Sequence, residues 1–297
     1  HPRDRRQRQM CIRDSPLAVA DYLAEMKLDS STIITALLHD VVEDTKVTIQ
    51  NINDEFGNEI SRLVDGVTKL SKLDLKFGFA QAENFRKLLL ASSDDIRVLL
   101  VKLADRLHNI RTIDGIKNNE KKAKICFETL EIFAPLAERL GINAIQRELE
   151  DRCFAVLKPD KRESILNRLK LVYSKDELNI PFITKEIEEL LKKNNINSKV
   201  TGRVKSSYSI WKKMQYKNLS MDQLSDIMAF RVVVDDVESC YKGLGILHQE
   251  YTAIMGRFKD YISAPKRNGY QSLHSSLIGP KKTKIEVQIR TSITVSY

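Results

Sequence analysis

The sequence predicts a chain of two domains, the first all α-helical and the second α+β with a mixed sheet. Three observations lead to this prediction. The 297 residues are enough for about two domains of ordinary size. Apolar residues recur with the period of an α-helix over residues 16–195, and strand-like patterns then replace them. Residues 284–290 alternate strictly, with Ile285, Val287 and Ile289 on one face.

The first fifteen residues carry five arginines and show no amphipathic period, so we expect a foreign or disordered segment outside the fold. The helices that follow are predicted from apolar residues at helical spacing, with residues 92–94 capping one helix and Gly141 ending another. They span residues 17–28, 33–38, 96–110, 121–140, 145–157, 161–173 and 184–194.

The second domain is predicted to open with a strand that turns into a helix at Gly202, where glycine frees the turn. A β-branched apolar strand follows at residues 227–234, and the alternating strand at residues 284–290 ends the domain. Helices predicted at residues 207–216 and 237–254 would pack on this sheet.

The composition is that of a globular protein, with 42% hydrophobic and 30% charged residues. No apolar run reaches the roughly eighteen residues of a membrane span, and the N-terminus lacks the apolar core of a signal peptide. The four cysteines form no C-x-x-C pair, so neither a zinc site nor a disulfide framework is predicted. We therefore expect a cytoplasmic protein without membrane contact.

The net charge of +9 is concentrated in the last third of the chain. Residues 199–297 carry sixteen Lys and Arg against eight Asp and Glu. This excess suits a polyphosphate ligand or nucleic acid, and a solvated basic surface explains it equally well. Charge alone therefore does not separate these possibilities.

Four ionisable side chains stand together at the predicted end of the second helix: His39, Asp40, Glu43 and Asp44. His39 and Asp40 are adjacent, so both reach one cation only where the backbone turns at a helix end. One imidazole with carboxylate oxygens suits a divalent cation such as Mn²⁺, which lowers the pKa of a bound water. Glu43 or Asp44 could then orient or deprotonate that water.

A second polar cluster lies on the helix at residues 96–110 and just beyond it. It places polar groups at i, i+3, i+4 and i+7, opposite the leucine stripe: Asp105, His108, Asn109 and Thr112. In the alternative interpretation His39 caps a helix and Asp105 pairs with Arg106 or Arg111. Two such clusters in one helical domain favour the metal site.

The loop at residues 257–274 combines cations, amides, an aromatic ring and an imidazole, the groups that bind a purine nucleotide and its phosphates. Asp226 stands at the entry to an apolar strand, and Glu286 projects from the alternating strand. Two carboxylates on neighbouring strands can hold Mg²⁺ beside a triphosphate. Each could instead be a salt-bridge partner of Arg231 or Arg290.

A basic helix start precedes this loop. Arg203 and Lys205 offer cations, and Ser209 and Lys213 lie four residues apart, hence on one helical face. Together they predict a phosphate cradle, although a basic helix start alone is most often a solvated surface.

These motifs resemble a known family. The stretches L-L-H-D-V-V-E-D-T, V-D-G-V-T-K-L and K-L-A-D-R-L-H-N-I-R-T are similar to the HD-superfamily hydrolase domain of the RelA/SpoT enzymes, which make and destroy guanosine tetra- and pentaphosphate, (p)ppGpp. The resemblance implies a Mn²⁺ site with these roles: His39, Asp40 and Asp105 as ligands, Glu43 and Asp44 at the attacking water, and Asn109 and Thr112 lining the nucleotide pocket.

The chain departs from the family pattern at one ligand. The resemblance implies a histidine directly before Pro16, and this chain has Ser15 there. A hydroxyl is a poor substitute for an imidazole, so we expect weak Mn²⁺ binding and little hydrolysis.

The second half resembles the synthetase domain of the same family, whose fold is related to nucleotidyltransferases and which moves the β,γ-pyrophosphate of ATP to the 3′-hydroxyl of GDP or GTP. The segment Arg257-Phe-Lys-Asp260 matches the R-x-K-D form of bifunctional members. The resemblance implies these roles: Asp226 and Glu286 bind Mg²⁺; Arg203, Lys205, Ser209, Lys213 and Lys259 contact phosphates or ATP; Tyr270 stacks on guanine; Lys266, Asn268, Gln271 and His274 complete the acceptor site.

The resulting domain prediction has four parts: a foreign segment at 1–15, an HD hydrolase domain at 16–157, a helical connecting region at 158–198 and a synthetase domain at 199–297. The expected ligands are ATP, GDP or GTP, and (p)ppGpp. Since the resemblance stops near residue 291, before the regulatory domains of the family, ribosome coupling is not expected. Two alternatives remain open, a non-catalytic basic module that binds RNA or ribosomes and an HD phosphohydrolase of another nucleotide.

Overall fold

A computed structural model describes residues 15–71, 95–173, 180–224, 227–266 and 269–292. The chain divides into two compact units, His1–Leu157 and Lys158–Tyr297. The predicted capping residues 92–94 lie outside the described residues. None of the helices in the described ranges is long and apolar enough to cross a lipid bilayer.

The first unit is built from helices around one main apolar core, as predicted. Its α-helices are α1 (15–25), α2 (Ser30–Leu38), α3 (Val41–Asp44), α4 (Ile49–Phe56), α5 (Asn58–Ser71), α6 (Arg97–Arg111), α7 (Asn119–Glu128), α8 (Ala134–Arg139) and α9 (Asn143–Leu157). The leucine stripe predicted for α6 is confirmed, because Leu99, Leu103 and Leu107 are almost completely buried in this core.

The junction between α2 and α3 places the first predicted site. Asp29 caps the start of α2, where its carboxylate accepts a hydrogen bond from the backbone N–H of Thr32 at 3.1 Å. The helix ends at Leu38, and His39 and Asp40 occupy the turn before α3. The adjacent His and Asp therefore stand at a helix end, as the sequence predicts.

One predicted helix, at residues 121–140, is interrupted in the structure. A π-helical turn, Thr129–Phe133, separates α7 from α8. Pro135, in the first turn of α8, has no backbone N–H and so cannot continue the regular ladder. The predicted stop at Gly141 is confirmed, since this residue has a φ of 76°.

The second unit places helices against a six-stranded mixed sheet. Its α-helices are α10 (Pro159–Tyr173), α11 (Ile180–Lys193), α12 (Ser207–Lys217) and α13 (Val237–Glu250), and its strands are β1 (Ser198–Val204), β2 (Met228–Val234), β3 (Thr252–Ala253), β4 (Lys259–Asp260), β5 (Leu273–Ile278) and β6 (Lys284–Thr291). Helices α10 and α11, which the sequence assigns to a connecting region, pack within this unit.

The strand order is β1-β2-β6-β5-β3, and β4 also pairs with β5. The β2–β6 pair is parallel and the other pairs are antiparallel. This arrangement confirms the prediction of a mixed sheet and makes the strand that follows position 226 a direct neighbour of the strand that carries Glu286.

The two faces of the sheet differ in character. Ile285, Val287 and Ile289 point into the apolar core, where α11 and α13 also contribute buried side chains. Residues in register share a face, so Glu286 lies on the opposite, polar face with Ala229 of β2 and Ser276 of β5. The alternation predicted for β6 is thereby confirmed.

Two predictions for this unit are wrong in detail. The helix predicted at residues 237–254 ends at Glu250, because Thr252 and Ala253 pair with the edge of β5 instead. Gly202 does not free a turn. It lies within β1, where a Cβ would stand only 2.5 Å from Cε1 of Phe230, so the glycine is required for space rather than for backbone freedom.

Candidate functional sites

His39 is completely buried at the junction of α2 and α3. Its Nδ1 lies 2.7 Å from the carbonyl oxygen of Ala36, and this contact makes Nδ1 the hydrogen-bond donor. Its Nε2 lies 3.1 Å from Asp40 Oδ2 and 3.7 Å from Asp105 Oδ1. Neither contact has hydrogen-bond geometry, so Nε2 is a buried nitrogen without a hydrogen-bond partner that faces two carboxylates.

Asp105 is buried on α6 and supplies the second of these carboxylates. Lys102 Nζ donates to its Oδ2 at 2.8 Å, and Asn109 Nδ2 donates to its Oδ1 at 2.9 Å. The alternative partners Arg106 and Arg111 are bound elsewhere, to Glu128 and Glu148. The ion pairs proposed against the metal site are therefore absent at Asp105.

The electrostatics of this cluster favour a cation at Nε2. Burial alone would lower the pKa of His39, but the Asp105 and Asp40 carboxylates outweigh it and raise the pKa to about 10. Burial would raise the pKa of Asp105, yet the His39 and Lys102 cations hold it far below its usual range. A neutral imidazole would aim its lone pair at two anions, so a proton or a metal ion fits this position.

The cluster is open rather than a closed coordination shell. Within the described ranges, no three His, Cys, Asp or Glu side chains are arranged closely enough to enclose a metal ion. The donor set itself, one imidazole nitrogen and two carboxylates, suits a divalent cation such as Mn²⁺. His39, Asp40 and Asp105 thus fit a divalent metal in the chemistry of their donor atoms, although their described side-chain positions do not close around one.

The other residues predicted for this site lie on α3, at the end of α6 and at the start of α1. Glu43 and Asp44 are exposed on α3, directly after the His39–Asp40 turn. Thr112 is exposed at the end of α6, where its hydroxyl donates to the His108 carbonyl at 3.0 Å. Ser15 is half-buried and is the first described residue of α1.

The second site is centred on Glu286, on the polar face of the sheet. Lys205 Nζ lies 3.6 Å from its Oε2, and His274 Nδ1 lies 3.3 Å from its Oε1. Gln288 also donates to Oε1, at 3.3 Å. By register, Glu286 is the only carboxylate that the described strand residues place on this face.

Cations surround this carboxylate on the same face. Arg203 of β1 is opposite Ala229, and Lys259 of β4 is opposite His274. A single carboxylate among cations does not make a metal site by itself. It fits a Mg²⁺ ion that arrives with nucleotide phosphates, because Mg²⁺ is usually bound through one or two carboxylates plus the phosphates of its substrate.

The residues predicted to form a phosphate cradle lie before and along α12. Ser206 caps this helix, and its hydroxyl accepts from the backbone N–H of Ser209 at 3.2 Å. Lys205 precedes the cap and contacts Glu286, while Lys213 is half-buried one turn beyond Ser209. The N-terminal end of α12 therefore lies beside the polar face, where its partial positive charge favours phosphate.

An aromatic cluster flanks Glu286. Tyr270 Oη lies 2.9 Å from Nε2 of His274, whose other nitrogen faces the carboxylate. Lys266 Nζ stands 5.0 Å from the centre of the Tyr270 ring, and Gln271 is half-buried next to Tyr270 in sequence. Three of the residues predicted for the acceptor site, Lys266, Tyr270 and His274, thus lie together. Asn268, which was predicted for the same site, and Asp226, which was predicted as a metal ligand, lie outside the described residues.

The structure places two further residues, to which no site role was assigned from the sequence, beside this site. Tyr261 packs against both Tyr270 and His274. Arg290 is buried on the polar strand face, where burial and the nearby Arg231 cation lower its pKa. The alternation of β6 places Arg290 on the face of Glu286, so the sequence pattern could have identified Arg290 as a site residue. Nothing in the sequence pattern distinguishes Tyr261.

Fold and sites together define a class of protein, a helical HD-type domain followed by a nucleotidyltransferase-like mixed-sheet domain. Comparison with known proteins agrees with it. A family model for the HD domain matches residues 1–143, and one for a region found in RelA / SpoT proteins matches residues 202–295. The chain belongs to the RelA/SpoT family.

Two relatives illustrate this similarity. GTP pyrophosphokinase rsh of Brucella ovis is 50% identical over 277 residues, which cover 93% of this chain and 37% of that protein. Bifunctional (p)ppGpp synthase/hydrolase SpoT of Escherichia coli K12 is 49% identical over 277 residues, 93% of this chain and 39% of that protein. The chain therefore spans less than two fifths of the length of these relatives.

A solved structure also matches part of the chain. It is that of small alarmone synthetase 1 from Bacillus subtilis bound to its product pppGpp, with 26% identity over 44% of this chain and 75% of that one. The TM-score is 0.35, which is too low to carry a structural argument.

Proposed function

We propose that the second unit transfers the β,γ-pyrophosphate of ATP to the 3′-hydroxyl of GDP or GTP. The main support for this proposal is that Glu286, between Lys205 and His274, is the only carboxylate that the described strand residues place on the cation-rich face of the sheet. Such a face attracts polyphosphate and offers one group that can accept a proton. Relatives named GTP pyrophosphokinase and (p)ppGpp synthase support the substrate class.

The proposed reaction forms one bond and breaks another. The 3′-oxygen of the guanine nucleotide attacks the β-phosphorus of ATP, the bond between that phosphorus and the α–β bridging oxygen breaks, and AMP leaves. Glu286 accepts the proton of the 3′-hydroxyl. Lys205 and Arg203 neutralise the phosphate charge, which is the main requirement of phosphoryl-type transfer. Ser209, Lys213 and Lys259 extend this cation-rich surface for ATP.

The acceptor nucleotide is assigned to the aromatic side of Glu286. Tyr270 stacks on the guanine ring, since base–aromatic stacking suits any purine face. Lys266, Gln271 and His274 contact its phosphates and sugar, with Asn268 as a further expected contact outside the described residues. Mg²⁺, when bound, would be held by Glu286 and the phosphates, with Asp226 as the expected second carboxylate, and would neutralise charge on the transferring group.

We further propose that the first unit hydrolyses (p)ppGpp. The buried Nε2 of His39, aimed at two carboxylates without a hydrogen-bond partner, supports a metal position there. His39, Asp40 and Asp105 would hold Mn²⁺, which would supply a polarised, more acidic water. Glu43 or Asp44 accepts a proton from the attacking water, whose oxygen bonds to the 3′-linked phosphorus. The bond between that phosphorus and the 3′-oxygen breaks, the 3′-oxygen takes up the proton from the carboxyl group, and pyrophosphate and the 3′-hydroxyl nucleotide are released.

Ser15 weakens this second activity in the proposal, because it stands where a ligand histidine is expected. A hydroxyl binds Mn²⁺ more weakly than an imidazole. We place both activities in the cytoplasm, where their nucleotide substrates are found.

The synthetase proposal is tested by incubating the chain with ATP, GDP and Mg²⁺ and separating the nucleotides. We expect ppGpp and AMP in equal amounts, and a loss of about 10³-fold in rate for Glu286→Gln. Glu238→Gln, an exposed carboxylate on α13, is the matched control and should retain the wild-type rate. Equal rates for Glu286→Gln and wild type, or salt-sensitive RNA binding with no turnover, would contradict the proposal.

The hydrolase proposal is tested with Ser15→His. We expect the substitution to raise Mn²⁺-dependent release of pyrophosphate from ppGpp by about tenfold or more, because it restores a nitrogen ligand. Ser31→His on α2 is the control for adding a histidine elsewhere. Robust hydrolysis by the wild-type chain would show that the ligand at position 15 is dispensable.

A further inference from the structure

Asp260 organises the turn that carries Tyr261. Its Oδ1 accepts hydrogen bonds from the backbone N–H groups of Ile262 and Ser263, both at 2.9 Å. Its Oδ2 accepts from the hydroxyl of Tyr241 on α13, also at 2.9 Å. By register Asp260 pairs with Leu273, so this carboxylate does not share the face of Glu286. The Asp of the R-x-K-D segment therefore shapes the loop rather than contacting the reacting groups.

The turn holds the Tyr261 ring against both aromatic residues of the acceptor side. The ring meets His274 edge-on, with centroids 5.2 Å apart and planes at 88°. It meets Tyr270 at 6.1 Å and 67°. These are the distances and angles of attractive edge-to-face contacts. Tyr261 is thereby the common neighbour of the ring assigned to stack on guanine and the imidazole that faces Glu286.

The ammonium group of Lys266 also contacts this aromatic cluster. Lys266 Nζ lies 4.7 Å from the Tyr261 ring centre and 5.0 Å from that of Tyr270. Both distances fall within the range of a cation–π contact. Tyr261 thus helps to fix the position of a lysine as well as two rings, and all three neighbours belong to the proposed acceptor site.

We propose that Tyr261 is a positioning residue for the guanine nucleotide acceptor. Its ring sets the orientation of Tyr270 for stacking and of His274 for its contact with Glu286. The inference deepens the proposed synthetase function and rests on it. Since the ring makes the contacts, a phenylalanine satisfies the role and an aliphatic side chain does not.

The test compares steady-state constants for each substrate in Tyr261→Leu and Tyr261→Phe. We expect Tyr261→Leu to raise KM for GDP about tenfold, as two edge-to-face contacts are lost, with KM for ATP changed less than about twofold. Tyr261→Phe should retain both wild-type constants. Tyr216→Leu, an exposed tyrosine at the end of α12, is the matched control and should change neither.

A merely structural role predicts a different pattern, in which KM for both substrates rises together or a lower melting temperature accounts for the loss. The inference would be overturned by that pattern, by an unchanged KM for GDP in Tyr261→Leu, or by equal defects in the Leu and Phe variants. If wild type makes no ppGpp, the synthetase proposal itself fails, and the two failures are thereby distinguished.

A second variant covers the case in which Tyr261→Leu does not fold. Tyr241→Phe removes only the hydroxyl that holds Asp260, and its ring is partly exposed. We expect KM for GDP to rise about two- to threefold, the value of one hydrogen bond, with KM for ATP unchanged. An unchanged KM for GDP in Tyr241→Phe would then count against the role of this turn.

Discussion

The two candidate sites differ in the sign of the charge that surrounds them. In the helical unit, buried His39 faces the Asp40 and Asp105 carboxylates, and Glu43 and Asp44 follow directly. On the polar face of the sheet, Glu286 is the only carboxylate among the described strand residues, and it lies beside Lys205 and His274. One site is rich in anions and the other in cations, although both are proposed to act on guanine nucleotides with a divalent metal.

This difference in charge indicates how each site would acquire its metal ion. Two carboxylates and an imidazole can attract a divalent cation from solution without a nucleotide. A lone carboxylate among lysines and arginines attracts phosphate, and the metal enters with the nucleotide that carries it. We therefore infer that the helical site binds metal first, whereas the sheet site binds metal and nucleotide together.

The strongest change is expected at the anionic site around His39, where one substitution should abolish most of the Mn²⁺ affinity. Asp105→Asn removes one of the two carboxylates that face His39 Nε2, so Mn²⁺ affinity without nucleotide should fall at least about 100-fold. Synthesis of ppGpp should be unchanged, because Glu286 lies in the other unit. Calorimetric titration with Mn²⁺ and the nucleotide assay measure the two effects. Equal Mn²⁺ affinity in Asp105→Asn and wild type would remove Asp105 from the ligand set.

The second prediction concerns the cationic site around Glu286, where removal of one ammonium group should weaken the use of ATP. Lys205→Met removes the ammonium group 3.6 Å from Glu286, and kcat/KM for ATP should fall about 100-fold because phosphate charge is no longer neutralised. Lys212→Met, an exposed neighbour on α12, is the control. Hydrolysis of ppGpp, measured with Ser15→His added to both proteins, should be the same in both variants. A selective loss of hydrolysis in Lys205→Met would contradict the separation of the sites.

A smaller effect tests the scaffold of the sheet site. Gly202→Ala places a Cβ 2.5 Å from Phe230 Cε1 and 2.7 Å from Ile180 Cγ2, so we expect a loss of about 1–3 kcal/mol in unfolding free energy. Gly245→Ala on α13 meets nothing within 4 Å and should stabilise the unit by up to about 1 kcal/mol. Urea unfolding of both variants gives the signs, and a stabilising Gly202→Ala would refute the packing argument.

The smallest effect tests the ion cluster at the start of α6. Arg97 lies 2.6 Å from Asp95 and 2.7 Å from Glu59, and these contacts hold the pKa of both carboxyls below their usual range. Lowered carboxyl pKa values stabilise the fold above the ordinary values of 3.8 and 4.5, and that stability is lost as pH falls through the lower folded values.

Arg97→Met should therefore lower the free energy of unfolding only slightly at pH 7, because solvent screens these exposed pairs. The difference from wild type should shrink toward about pH 3, where the carboxyls begin to protonate. Urea unfolding at both pH values measures it, with Lys46→Met as an exposed control. A difference that grows on acidification would contradict the assignment.

The fold was largely predictable because both units follow simple periods. The helical period over residues 16–195 and the alternation in β6 identified most elements to within a few residues. The exceptions depend on tertiary structure. The end of α13 is set by pairing of Thr252 with β5, and the need for glycine at position 202 comes from Phe230, which lies 28 residues further along the chain.

The candidate sites were predictable where chemistry is concentrated in a short segment. His39 and Asp40 stand in one such segment, and Tyr270 and His274 in another. Periodicity could not show that Asp105 faces His39, because 66 residues separate them. Only the shared metal-binding chemistry of the two clusters and the family resemblance connected them. Tyr261 was missed because its role depends on ring contacts with residues nine and thirteen positions later, which no spacing rule predicts.

The most direct test of this comparison is a Mn²⁺ titration of Asp105→Asn protein with and without a non-hydrolysable ATP analogue. Our account predicts no tight Mn²⁺ binding without the analogue, one bound ion per chain with it, and loss of that ion when Glu286→Gln is added. Tight Mn²⁺ binding without nucleotide that survives Asp105→Asn and disappears with Glu286→Gln would contradict it.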